Sequence, residues 1–312
     1  MNKIVSNKIF KPFAQALIRE FVKYPFSRDV LNFLYLKLTY SQMTKVHDIF
    51  AKIFRDTNTN IIPGDWKVVF LGREIFIPLK TETIWLDWDT ALSIIGHDTE
   101  VKETYQFFLS QENKPDLFVD IGTNYGTHSL LFLCHGIETI SFEPNSSCHS
   151  YFQEMSIFNN VKVNLEKVAL GETEGVVTIK YPEKATWLGS TDETIQSKLG
   201  INQKMIEEEV RKTKLDDYID QFKEKQVLIK VDTEGNEFSV LKGAENVLKI
   251  CKPMIIFECL NNQVKRKPLY NYFTSNGYQI YHLPYKHLKQ DNALTDDEFL
   301  TTPLTNFIGI SQ

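Results

Sequence analysis

Two short runs join strand-like apolar residues to acids at the point where a strand should end. The first is Leu117-Phe118-Val119-Asp120-Ile121-Gly122-Thr123-Asn124-Tyr125-Gly126, followed by a helix-forming run from Thr127. Glycines at such a turn let backbone approach a ligand and let the helix pack on the strand. Seventeen residues past Gly126, Glu143 ends the next apolar run, Thr139–Phe142. An acid about 20 residues beyond a glycine loop is placed to bind ribose hydroxyls. The second run is Val227-Leu228-Ile229-Lys230-Val231-Asp232-Thr233-Glu234-Gly235-Asn236-Glu237. Lys230 interrupts an otherwise apolar strand, and a buried ammonium needs a partner. Asp232 and Glu234 lie where the chain leaves the sheet, and Glu258 ends the following apolar strand, Met254–Phe257. Ligands of open α/β sheets bind outside the carboxyl ends of the strands.

The glycine loop narrows the ligand. Dinucleotide sites use G-x-G-x-x-G and bring a pyrophosphate to the helix N-terminus. Here the spacing is G-x-x-x-G and Asp120 sits in the mouth, where it would repel pyrophosphate. The same carboxylate suits a cation, such as the ammonium and sulfonium of S-adenosylmethionine. No G-x-x-x-x-G-K-[ST] occurs, so the P-loop is excluded. A purely structural account competes: Gly122 and Gly126 make a tight turn, Asp120 caps the helix, and Lys230 belongs to an ion-pair cluster.

The elements that must position these residues fall into three zones. In residues 1–56, Phe10, Phe13, Leu17 and Phe21 form one stripe of a helix that Tyr24-Pro25 should end. Ser27 is placed to cap a second helix with Val30, Leu31, Leu34 and Leu38, and a third carries Met43, Val46, Ile49, Phe50 and Ile53. Residues 57–116 read as a bridge: a hairpin of Val68–Leu71 and Glu74–Leu79, then a helix over Asp98–Leu109. Residues 117–312 alternate apolar runs (Leu117–Ile121, Thr139–Phe142, Val161–Val168, Val227–Val231, Met254–Phe257) with helical segments near 127–135, 146–158, 237–250 and 268–276. That alternation predicts an α/β, doubly wound, mostly parallel sheet covered on both faces. Val176–Lys180 and Glu208–Lys212 read as extra strands in a long connection, 171–226, and Tyr278–His282 with Asn306–Ile310 as an antiparallel closing pair.

Asp120–Gly126, Phe142-Glu143-Pro144-Asn145, Val168-Ala169-Leu170-Gly171, Thr213-Lys214-Leu215-Asp216-Asp217, Leu228–Ala244 and Ile256-Phe257-Glu258 occur in that order. Together they resemble the FkbM-type methyltransferases, over roughly residues 98–310. His128 departs from the pattern, an aromatic being more usual there. The resemblance implies a class I methyltransferase, Rossmann-like sheet of seven strands with the last antiparallel. It implies S-adenosyl-L-methionine as cofactor and O-methylation of a hydroxyl on a sugar, glycan or secondary metabolite. The cofactor set is then Asp120, Gly122, Asn124, Gly126, Glu143, Ala169 and Asp232. An alcohol is a poor nucleophile, so methyl transfer to it needs a base or a metal. Asp232 or Glu234 is the expected base, with Lys230 tuning it and Glu258 next in line. Mg²⁺ held by Asp232 and Glu234 is a less favoured alternative, and no metal site is expected.

Weaker candidates are a lid at Trp187-Leu188-Gly189-Ser190-Thr191, an aromatic group of Trp85, Trp88, Tyr105, Phe107 and Phe108, and the bases His97 and His128. For each, an ordinary surface or core role competes. The whole 312-residue chain has a net charge of −5, which argues against nucleic acid as partner. Residues 1–60 hold ten Lys/Arg and four Asp/Glu, leaving the remainder at −11. Such a basic arm suits an anionic acceptor, a membrane surface or a partner chain. No run reads as a transmembrane span or a signal peptide. Cys134, Cys148, Cys251 and Cys259 match no zinc spacing, which suggests a reducing compartment, the cytoplasm. Two rival readings stay open: an NAD-dependent oxidoreductase on a similar sheet, and a catalytically silent binding module.

Overall fold

The computed structural model describes residues 10–54, 64–79, 96–183, 186, 188–192, 196–197, 204–287 and 292–312. The chain divides into two compact units, Met1–Lys102 with Ile157–Asn160, and Glu103–Ser156 with Val161–Gln312. The first holds helices α1 (Phe10–Val22), α2 (Pro25–Tyr35) and α3 (Tyr40–Phe54) and a hairpin of β1 (Gly64–Phe70) and β2 (Arg73–Leu79). The hairpin turns on Leu71 and Gly72, both at positive φ, the requirement of a tight two-residue turn. Trp66, Val68, Phe70, Ile75 and Ile77 are buried. The Asn32 amide donates to the Lys67 carbonyl and the Gln15 amide to the Ile53 carbonyl.

The helix α4 (Thr99–Leu109) precedes the sheet, which is made of β3 (Leu117–Ile121), β4 (Glu138–Phe142), β5 (Asn164–Glu166), β9 (Val227–Val231), β10 (Met254–Glu258), β11 (Tyr278–His282) and β12 (Asn306–Ser311). Their order is β11-β12-β10-β9-β3-β4-β5. β12 runs antiparallel to both neighbours and the other pairings are parallel. Every residue of β3 and of β9 is buried, as strands covered on both faces require. The chain builds β3, β4 and β5 toward one edge, then returns to place β9 on the other side of β3. The strand order therefore reverses between β3 and β9, where α/β sheets open a ligand crevice. A second sheet, β6 (Ala169–Leu170), β8 (Met205–Thr213) and β7 (Gly175–Pro182), forms within the connection before β9.

Helices α5 (Thr127–Leu133), α6 (Ser146–Phe158), α7 (Glu237–Lys242), α8 (Gln263–Ser275) and α9 (Asp296–Thr301) complete this unit. Arg266 of α8 is fully buried. Its guanidinium donates to the carbonyls of Cys259, Leu260, Phe299, Thr302 and Leu304, binding the β10 exit, α9 and the β12 approach together. No helix among the described residues is long and apolar enough to cross a membrane.

Several local expectations need correction. Pro25, not Ser27, opens α2, because proline at the first helical position has no amide to leave unpaired. The stripe of Phe13, Leu17 and Phe21 points outward, while Ala14 and Val22 face the core of α1. The segment 237–250 breaks at Gly243: a Cβ there would lie 2.0 Å from the Gly171 carbonyl oxygen, and a π-helical turn, Val247–Cys251, follows. α8 starts five residues before Pro268, where the Asn262 side chain accepts the Val264 amide.

Candidate active site

Three loops at the carboxyl ends of β3, β4 and β9 gather the acids. After β3, Gly122, Asn124 and Gly126 all have positive φ. A Cβ on Gly122 would lie 1.7 Å from the Asp232 carbonyl oxygen, and one on Gly126 would lie 2.0 Å from the Phe152 ring. Both glycines are thus demanded by protein neighbours. The Asp232 amide donates to the Ile121 carbonyl at 3.0 Å, so the β3 and β9 loops lie against each other.

Asp120 is fully buried beside Lys230, its register neighbour on β9. Its Oδ2 accepts the Ser129 amide at 3.1 Å and the Ser129 hydroxyl at 2.6 Å, and that hydroxyl reaches Ser141 at 2.8 Å. The helix-capping role is therefore present. Oδ1 is buried with no hydrogen-bond partner among the described residues. Burial pushes the Asp120 carboxyl above its ordinary range; Lys230 and Ser129 oppose the shift and Asp232 adds to it.

Glu143 is also buried, and each oxygen takes one backbone amide: Asn124 at 2.6 Å and Asn145 at 2.8 Å. This locks the positive-φ Asn124 loop onto the end of β4. Burial raises the Glu143 carboxyl to about 7, the two amides working against the rise and Asp120 and Asp232 with it.

On the β9 loop, Lys230 donates to Asp232 Oδ2 at 2.8 Å, which gives the buried ammonium the partner it requires. Glu234, half-buried and at positive φ, has its carboxyl raised to about 7 by burial and by repulsion from Asp232 and Glu237, against Lys230. Glu237 was not singled out from the sequence although it closes the same motif. Its Oε1 accepts the Thr233 amide, the Thr233 hydroxyl and the Gly235 amide, folding the loop back on the start of α7.

The connection between β7 and β8 reaches this region. The Asn145 amide donates to the Thr186 carbonyl at 2.7 Å, and the Tyr125 and Thr186 hydroxyls share a bond of 2.5 Å. The Ser190 hydroxyl donates to the Glu234 carbonyl at 2.9 Å. Lys265 bridges Asp192 and the Gly235 carbonyl. Tyr125, Asn145 and Ser190 stand in runs that the sequence singled out, whereas Asp192 and Lys265 stand where spacing gives no signal.

Asp120, Gly122, Asn124, Gly126, Glu143, Lys230, Asp232 and Glu234 are thus brought together. Ala169 packs in the small sheet's core with Ile179, Tyr181 and Val210. Glu258 stands at the end of β10 opposite Asn306, one strand beyond β9. His128 Nδ1 shares a 3.0 Å hydrogen bond with the Tyr105 hydroxyl, and His97 Nε2 lies 3.4 Å from Asp98. Trp85, Trp88 and Trp187 lie outside the described residues. Among the described residues no three His, Cys, Asp or Glu side chains are grouped to hold a metal ion.

Comparison with known proteins now bears on this geometry. The chain resembles the solved structure of methyltransferase FkbM from Methylobacillus flagellatus KT at 17% identity and a TM-score of 0.40, over 71% of this chain and 54% of that one. It thus spans about half the length of that protein. Precorrin-6y C5,15-methyltransferase from Geobacter metallireducens GS-15 is similar at 8% identity and a TM-score of 0.37, covering 69% of this chain and 87% of that one. A SAM-dependent methyltransferase from Agrobacterium tumefaciens is similar at 8% identity and a TM-score of 0.36, covering 80% and 71%. No curated protein matches. The model of the methyltransferase FkbM domain matches residues 120–280, just over half of the 312 residues and from the buried Asp120 to the penultimate strand; the chain belongs to the FkbM methyltransferase family.

Proposed function

We propose that this protein transfers the methyl group of S-adenosylmethionine to a hydroxyl oxygen of a sugar, glycan or secondary metabolite. The donor set fits that cofactor. Asp120, Glu143, Asp232 and Glu234 crowd one end of the sheet with Lys230 as their close counter-charge, and Asp120 Oδ1 is buried without a partner. A cationic ligand relieves that repulsion, whereas a pyrophosphate adds to it. Family membership removes the ground for an NAD-dependent oxidoreductase. Asp120 and Asp232 would face the cofactor's positive charge and Glu143 its ribose hydroxyls. When bound, the cofactor supplies a methyl group on a sulfonium whose departure leaves a neutral sulfide.

One observation carries the oxygen acceptor: Glu234, whose carboxyl is pushed up to about 7 by burial and the neighbouring acids, stands beside the Lys230–Asp232 pair at the end of a central strand. A general base works best with a pKa near the operating pH. Glu234 takes the hydroxyl proton as the acceptor oxygen attacks. Lys230 holds Asp232 and offsets the charge that Glu234 carries when ionised. Glu237 fixes the loop that presents both acids.

The test is incubation of the protein and methyl-labelled S-adenosylmethionine with cell extract, followed by mass spectrometry of glycans and metabolites. Label in an ether linkage to oxygen is the expected result. Label on nitrogen or carbon overturns the hydroxyl acceptor. Binding of S-adenosylhomocysteine without transfer to any acceptor favours the silent module. Activity abolished by EDTA and restored by Mg²⁺ would make Asp232 and Glu234 ligands rather than base.

A further inference from the structure

The turn that carries Glu234 is held from two directions. Glu237 takes amides of the turn, those of Thr233 and Gly235. The carbonyls are bound from the other side. The Glu234 carbonyl accepts the Ser190 hydroxyl at 2.9 Å, and the Gly235 carbonyl accepts the Lys265 ammonium at 3.2 Å. Glu234 and Gly235 both have positive φ, 52° and 101°. A non-glycine residue stays in that region only where its surroundings over-determine it. Gly235 has no Cβ and swings freely unless its peptide groups are bound. The bonds from Ser190 and Lys265 therefore fix the direction in which the Glu234 side chain leaves the backbone.

The two donors belong to one assembly. Ser190 is buried and pairs with Lys180 of β7 through its amide and its carbonyl, each at 3.1 Å. Its hydroxyl accepts the Asp192 amide at 3.0 Å, and Asp192 Oδ2 accepts the Lys265 ammonium at 2.9 Å. Lys265 stands in the first turn of α8, next to Arg266 with its five carbonyls, so it projects from a rigid element. A cation in the first turn opposes the helix dipole, so the charge of Lys265 works against α8 itself. Its neighbour Lys267 pairs with Asp296, away from the turn. The charges that move the Glu234 carboxyl are Asp232, Glu237 and Lys230. Lys265 thus acts on the position of that carboxyl and not on its titration.

We infer, resting on the reading of Glu234 as the base, that Lys265 is a positioning residue for methyl transfer, acting with Asp192 and Ser190 to aim the Glu234 carboxylate at the acceptor hydroxyl. Turnover is read as label passed from methyl-labelled S-adenosylmethionine into cell extract. The turn itself is read by deuterium exchange of the peptide spanning residues 232–238. Lys265→Met should lower turnover about 10–100-fold and speed exchange of that peptide. S-adenosylhomocysteine affinity and the acidic limb near pH 7 should stay as in wild type. Lys265→Arg, which keeps donors for both oxygens, should recover most of the turnover. Ser190→Ala frees the other carbonyl and should reproduce both effects, which keeps the test decisive if Lys265→Met lowers the melting temperature. Lys267→Met is the control and should change neither readout. In a Glu234→Gln background, Lys265→Met should lower turnover no further, because its effect passes through the base. Wild-type turnover or wild-type exchange in Lys265→Met overturns the positioning role, and so does a loss that adds in full to that of Glu234→Gln. Undiminished turnover in Glu234→Gln alone overturns the base reading, and the role of Lys265 with it, without recourse to any Lys265 variant.

Discussion

Replacing Glu143 by Gln should change how the stability of the protein depends on pH, in a direction the geometry dictates. Glu143 is buried against two amides and two neighbouring acids, and its carboxyl rises from an ordinary 4.5 to about 7. At about 1.4 kcal/mol per unit, ionising it in the ligand-free fold costs roughly 3 kcal/mol more than in the unfolded chain. A folded-state pKa above the unfolded one contributes stability that is full below the unfolded value. That contribution is lost as pH rises through the folded value. Wild type should therefore lose about 3 kcal/mol relative to Glu143→Gln between pH 4.5 and 7, and the difference should flatten above 7. Urea melts of both proteins from pH 5 to 8.5 give that difference directly and cancel the titration of Glu234. S-adenosylhomocysteine supplies the second readout. If ionised Glu143 holds the ribose, wild-type affinity falls up to about tenfold per pH unit below 7, and the Gln variant loses most of that slope. A wild-type minus variant stability difference that is flat, or that grows with pH, refutes the reasoning.

Glu234→Gln should lower turnover by about 10²–10⁴-fold and remove an acidic limb near pH 7 from the rate profile, while S-adenosylhomocysteine affinity moves far less; an unchanged profile places the base elsewhere. Gly122→Ala sets a methyl group on the Asp232 carbonyl at a positive φ, and should cost roughly 2–5 kcal/mol in denaturant melts and weaken cofactor binding together with stability. Arg266→Lys leaves several of five carbonyls, two of them in buried hydrogen bonds, without a donor, so a loss of about 3–5 kcal/mol by the same melts is expected, and a change within 1 kcal/mol would contradict its role as a clamp.

The parallel sheet was legible because strands buried on both faces must be continuous apolar runs, and β3, β4, β9 and β10 begin and end within a residue or two of those runs. Glu143, Asp232 and Glu258 were legible for the same reason, since an acid closing such a run falls at the sheet's rim, whereas Asp120 lies within β3 and is fully buried. Other features had no sequence signal. Periodicity gives α1 an apolar face but not the side it presents, and the short Ala14–Val22 line took the inward position. Nothing in the sequence marks Arg266, set between Lys265 and Lys267, as fully buried; five carbonyls converge on it. The halt at Gly243 comes from the approach of Gly171, 72 residues away in sequence.

The close approach at Gly122, where a Cβ would lie 1.7 Å from the Asp232 carbonyl oxygen, has a consequence for how such an enzyme diversifies. With no room for even one carbon between the two loops, the proposed donor pocket and the proposed base form one inherited block. A change that retunes one half disturbs the other, so selection for a new acceptor has little freedom there. Among the described residues, the β7–β8 connection meets that block at Tyr125, Asn145, the Glu234 carbonyl and Lys265. Novelty in substrate choice is cheapest to acquire in that insertion, and a laboratory search for altered acceptors would do best to randomise it outside Ser190 and Asp192 and leave both glycine-bearing loops alone.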